Sequence, residues 1–158
     1  MMEIRRAVSS KSKEAIALPE GDVGIVLEIG EGGDLDMLIT SQSRKPQQVS
    51  LSVIHRGKGK SSITFNSIIR SSLRLDAKLV MEGGSAGSSG KVSLNGIKIG
   101  KGAKAGFSPK LVLLDGGVDV SHKSSIQGMP REAIGYLMAR GIGKKEAERL
   151  FCERFLGQ

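Results

Sequence analysis

Between about residue 22 and residue 120 the chain alternates apolar and polar residues in short runs. "DVGIVLEIG", "DLDMLIT", "QQVSLSVIH", "SSITFNSIIR", "LRLDAKLVME", "GKVSLNGIKIG" and "KLVLLDGGVDV" succeed one another. Several keep a period of two, which is the pattern of a strand with one face buried. Serine and threonine hold many of the positions that should face outward. Glycine-rich pieces punctuate the runs: "GEGGD" at 30–34, "RGKGK" at 56–60 and "EGGSAGSSGK" at 82–91. Strands at such regular, short spacing predict either a β-sandwich or the stacked rungs of a β-solenoid. No rung motif repeats sharply, so periodicity alone leaves both open.

The period then changes. "MPREAIGYLMARG" sets Ala133, Ile134, Leu137 and Met138 at helical spacing. Pro130 suits a first helical turn and Gly141 the position just past a helix end. "KKEAERLFCERF" comes next, with Ala147, Leu150, Phe151 and Phe155 on one stripe. Two short helices around a tight glycine turn make an αα-hairpin. The predicted organisation is a loosely held arm over residues 1–20, an all-β core over 21–128 and a helical hairpin over 129–158.

Composition narrows the class. The 158 residues leave room for one domain with a real core. No run of 18 apolar residues could span a membrane, and the first 21 residues show no secretory apolar stretch. A single cysteine, Cys152, cannot form an internal disulfide. These features together point to the cytoplasm. With four Phe, one Tyr and no Trp, single-strand binding by base stacking lacks its rings.

The net charge of +8 is uneven: residues 41–110 hold thirteen basic groups against Asp76 and Glu82 alone. Such a block is either a solvated face or a surface for nucleic acid or an acidic protein.

Four stretches carry candidate chemistry. "RGKGKSS" at 56–62 lacks the glycine that a Walker loop needs four residues before its Gly-Lys-Ser; Ile54 stands there. The next segment, "SITFNSI", reads as strand, so "RGKGKSS" is a basic hairpin turn. His55, His122 and Cys152 are too few for a self-contained zinc site, so no metal is expected. In "DVSH", Asp119 and Ser121 share one face of a strand while His122 faces the other, which is no catalytic triad. "GIGKKEAERL" at 141–150 has the form of a DNA-gripping helical hairpin, whose turn N–H groups would hold a phosphate. Glu146, Glu148 and Glu153 dilute the charge of its second helix.

The longer stretch "AGFSPKLVLLDGGVDVSHKSSIQGMPREAIGYLMARGIGKKEAERLFCERFLG", residues 105–157, resembles the end of the SufB/SufD family. Pro109, Leu111, Val118, His122, Gly128, Tyr136, Leu137, Arg140, Gly141, Ile142, Glu146, Ala147 and Leu150 fall in register with that family's pattern without a gap. "IKIGKGAKAGFSP" is similar to the family's preceding rung. The resemblance implies a right-handed parallel β-helix followed by a helical domain. It implies dimerisation through the β-helix, as a homodimer or with a SufB-like partner. It also implies docking of an ABC-type ATPase, SufC-like, through the C-terminal helices, with Tyr136, Arg140, Gly141, Ile142 and Glu146 as the partner-binding residues.

His122 matches the family histidine implicated in cluster formation, but Val120 stands at the cysteine's place. Lys123 replaces the glycine after the histidine. Iron–sulfur clusters are held by several thiolates, so the chain is expected to bind none alone and to share a transient cluster with a partner. The resulting expectation is a non-enzymatic subunit of an iron–sulfur assembly complex, a shortened member of the family. A shortened paralogue acting as an adaptor without cluster work is the first alternative. A nucleic-acid-binding module using the 41–110 block and the Gly141–Gly143 turn is the second.

Overall fold

The computed structural model describes residues 1–157; Gln158, the last residue of the expected hairpin, lies outside them. The strands are β1 (Met2–Val8), β2 (Lys11–Ala17), β3 (Val23–Ile29), β4 (Asp34–Ser43) and β5 (Gln47–His55). They continue with β6 (Lys60–Ile69), β7 (Ser72–Met81), β8 (Ser89–Lys98), β9 (Lys104–Leu113) and β10 (Asp119–Gly128). Two helices end the chain, α1 (Arg131–Met138) and α2 (Lys144–Leu156).

Odd-numbered strands form one sheet and even-numbered strands the other, and neighbours within each sheet are parallel. The chain therefore changes sheet at every corner. That is a β-solenoid of about five turns with two strands per turn, and the sandwich alternative is set aside. Val23 lies opposite Val49, and Val49 opposite Leu75, so these central turns each take 26 residues.

Inward side chains stack in columns along the solenoid, for example Ile39–Phe65–Leu94 and Ile25–Leu51–Ala77. All six are buried. One turn cannot bury its apolar side alone; its neighbours above and below do so. The corners stack as closely. A Cβ on Gly33 would lie 2.5 Å from the Val8 carbonyl oxygen, and one on Gly59 2.7 Å from that of Gly33. At Gly33 and Gly59, glycine is thus a packing requirement of superposed corners.

Three details differ from the sequence reading. The first 20 residues are no loose arm: β1 and β2 pair with β3 and β4 as a full first turn. "KLVLLDGGVDV" is not one strand, because β9 ends at Leu113 and the chain turns before β10 begins at Asp119. "RGKGK" is not a hairpin turn, since β5 and β6 belong to different sheets.

The helices lie against the even sheet. Cys152 and Leu156 of α2 are buried against Ile68 and Ile97, with Phe151 and Phe155 beside them. This face is rotated slightly from the predicted stripe. A side-chain ladder fixes it: Asn95 Nδ2 donates to Asn66 Oδ1 (2.9 Å), and Asn66 Nδ2 donates to the Phe155 carbonyl (2.8 Å). That carbonyl is one of the last four of α2, which have no partner within the helix. No helix among the described residues is long and apolar enough to cross a membrane.

Candidate functional site

The two ends of the solenoid differ in chemistry. At the first turn, Arg6 and Glu14 occupy inward positions over Leu27 and Met37. Arg6 Nε lies 3.6 Å from Glu14 Oε2, and Ser12 Oγ donates to Glu14 at 2.9 Å. An ion pair and a hydroxyl thus stand among the apolar Ile4, Val8 and Ile16 at that end.

At the last turn the inward positions are Ala105, Phe107 and Leu111 from β9 and Val120 from β10, all half-buried and packed on the turn before. Leu113 and Ile126 are exposed nearby. Both β9 and β10 keep one unpaired edge. Exposed strand edges invite pairing with another chain.

His122 belongs to this last turn. It lies opposite Val92, whose side chain is in the core, so it sits in the inward series with Val120. It is exposed because no further turn covers it. Asp119 and Ser121 line a shallow groove on the outer face with Lys60 and Lys91. The two sides of β10 therefore separate these residues, as strand parity requires. His55, His122 and Cys152 occupy three separate places: the solenoid interior, its last edge strand and helix α2.

Tyr136, Arg140, Gly141, Ile142 and Glu146 gather on the helical hairpin. Helix α1 closes with a Schellman arrangement: Ile142 N–H donates to the Leu137 carbonyl and Gly141 N–H to that of Met138. Gly141 has φ of +85°, a conformation that other residues rarely adopt. Both N–H groups are consumed inside the turn, which removes two donors that a phosphate-gripping hairpin would need.

Tyr136 is more than half exposed, and Arg140 Cζ lies 3.9 Å above its ring, a cation–π contact between residues one helical turn apart. Ile142 is half-buried. Glu146 is tied to Arg149, which also holds Glu153. The bond from Arg149 keeps the Glu146 carboxyl below its ordinary range.

A family model described as "SUF system FeS cluster assembly, SufBD core domain" matches residues 26–155. The chain belongs to this SufB/SufD family. A search of curated proteins found no match. The matched range runs from within β3 into the last turn of α2, so it takes in the solenoid beyond its first turn together with the hairpin. Membership carries a role in iron–sulfur cluster assembly.

From sequence, His55 of this SufBD chain is weighed only as a metal ligand, whereas the fold makes it a core residue. His55 is completely buried, with Nε2 2.8 Å from Ser61 Oγ and no partner for Nδ1 among the described residues. Its signal was present: His55 continues the inward series Val49, Leu51, Val53.

Proposed function

We propose that this chain is a non-catalytic subunit of a cytoplasmic iron–sulfur assembly complex, pairing through its last solenoid turn and docking a SufC-like ATPase through its hairpin. The observation that carries the reading is the uncovered inner face of the last turn, where β10 presents His122 beside apolar Val120 and both β9 and β10 keep an unpaired edge. A chain of the same kind, or a SufB-like partner, would continue the sheets there and cover that face.

A cluster at this seam would take His122 from this chain and thiolates from a SufB-like partner, since a second copy carries Val120 at the same place. The chain's own thiol, Cys152, is buried between α2 and the even sheet, against Ile68 and Ile97, and is not on the inner face of the last turn. Val120 at the family's cysteine position also favours a second reading, an adaptor that pairs and docks without holding cluster.

On the hairpin, Tyr136 and Arg140 form an exposed aromatic–cation pair, a combination common among residues that dominate binding energy. Arg140→Glu with Ile142→Asp is expected to weaken ATPase binding at least about 30-fold, the scale of a lost hot spot. Calorimetric titration of the full chain with a SufC-type ATPase measures this, with circular dichroism confirming that the variant folds. Unchanged affinity rejects hairpin docking.

Pairing is tested separately by sedimentation. The expected mass is about twice the 16.7 kDa of one chain, or that of a one-to-one complex when a SufB-like partner is supplied. Val120→Lys should return it to monomer. A monomer at all concentrations, with and without that partner, rejects the interface. His122→Ala then separates the two readings: in the paired complex it lowers cluster absorbance after anaerobic iron and sulfide loading only if the seam holds the cluster.

A further inference from the structure

A cleft lies where α2 meets the corner after β4 and β6. It rests on none of the family features above. Arg44 and Arg70 stand at that corner in successive turns. Ser43 and Ile69 are register partners, and Arg70 N–H donates to the Ser43 carbonyl at 2.8 Å. Neighbouring strands run about 4.8 Å apart, so the two side chains start from backbone positions one strand spacing apart, and both line the same cleft. Neither has a carboxylate within ion-pair distance among the described residues.

Lys145, from the first turn of α2, faces the same cleft and is likewise unpaired among those residues. The acidic groups on the cleft are Glu148 and Glu153. Glu153 is engaged by Arg149, which Glu146 also holds. Arg44, Arg70 and Lys145 then stand against Glu148 and the single net negative charge of the Arg149 cluster, an excess of one positive charge.

The cleft measures about 440 Å³, inside the range of about 300–1,000 Å³ typical of small-ligand sites. Its floor is apolar, with buried Leu156 and half-buried Ile99. Cys152 lies on the floor as well. Burial pushes its thiol up, and Arg70 beside it pulls only part of the way back, so at neutral pH it adds no negative charge.

We propose that this cleft binds a phosphate group, either the free dianion or the phosphate end of a nucleotide. Guanidinium forks match the paired oxygens of phosphate. Two forks on one cleft can take two edges of a tetrahedral oxyanion, whereas a carboxylate has oxygens for one. The net positive charge on the walls also favours an anion. Lys145 closes the third side as a point charge.

The test titrates the full chain with inorganic phosphate, AMP and ATP at constant ionic strength. Binding is read by calorimetry, and by the alkylation rate of Cys152, the chain's sole thiol. The expected result is saturable one-site binding that slows alkylation. Arg44→Gln with Arg70→Gln should weaken it at least tenfold. Lys78→Gln with Lys110→Gln, on the outer face of the odd sheet, should leave it unchanged. Tighter binding of AMP or ATP than of inorganic phosphate identifies a nucleotide as the source; equal binding identifies free phosphate. Non-saturable binding, binding without protection of Cys152, or equal weakening by the Lys78 and Lys110 pair overturns the proposal.

Discussion

Acidification from pH 6.5 to 4 should cost this fold about 3 kcal/mol through His55 alone. The imidazole is wholly buried between Ile29 and Met81 of the adjoining turns, and Ser61 Oγ is its hydrogen-bond partner. Burial lowers its pKa from 6.5 to about 4. The unfolded chain therefore takes up a proton first. The contribution of the neutral ring is fully present above pH 6.5, falls as pH drops through the interval and changes no further below about 4.

Urea unfolding of wild type and of His55→Leu with Ser61→Ala, from pH 7 to 4.5, measures this. Replacing both partners by apolar groups leaves no unmatched polar atom. Surface carboxylates titrate in both proteins and cancel in the difference. The variant should lose less stability with acid than wild type over this range. Parallel pH profiles would sink the idea.

Phe65→Ala is expected to cost about 4 kcal/mol, near the middle of the range for a buried aromatic. Phe65 is a large, fully buried side chain and sits in one column between Ile39 and Leu94. A helix beside a cavity can shift to fill it. Here the strand spacing is set by the backbone ladders on both sides, so the adjoining turns cannot close the gap. Phe65→Leu, which retains much of the volume, should lose less than half as much. Denaturation midpoints at constant slope read both values, and a loss under about 1 kcal/mol for alanine would mean that the column is not closely packed.

Much of the solenoid could be read from alternation, because inward positions in the middle turns are uniformly apolar. The first turn hid itself for a physical reason. Its inward face meets water, so Arg6, Ser12 and Glu14 stand where a strand pattern expects apolar residues. The last turn misled in the opposite direction: Leu111, Val112, Leu113 and Leu114 form an apolar run with no alternation to mark where β9 stops. The hairpin was legible, since Gly141 and the helical spacing are local signals. The phosphate cleft was not. Arg44 and Arg70 are separated by a whole turn in sequence and become neighbours only when the turns are superposed.

The contrast between the two ends of the solenoid has a consequence for how such an object can grow. A rod with two bare ends can add copies without limit, and repeating strands with open edges are the usual beginning of fibres. This rod carries an ion pair across one mouth. When two bare mouths meet, both are used up, and what remains outward is Arg6 and Glu14 at each tip. If the pairing proposed above forms, addition stops at two, and the charge on the first turn acts as a chain terminator.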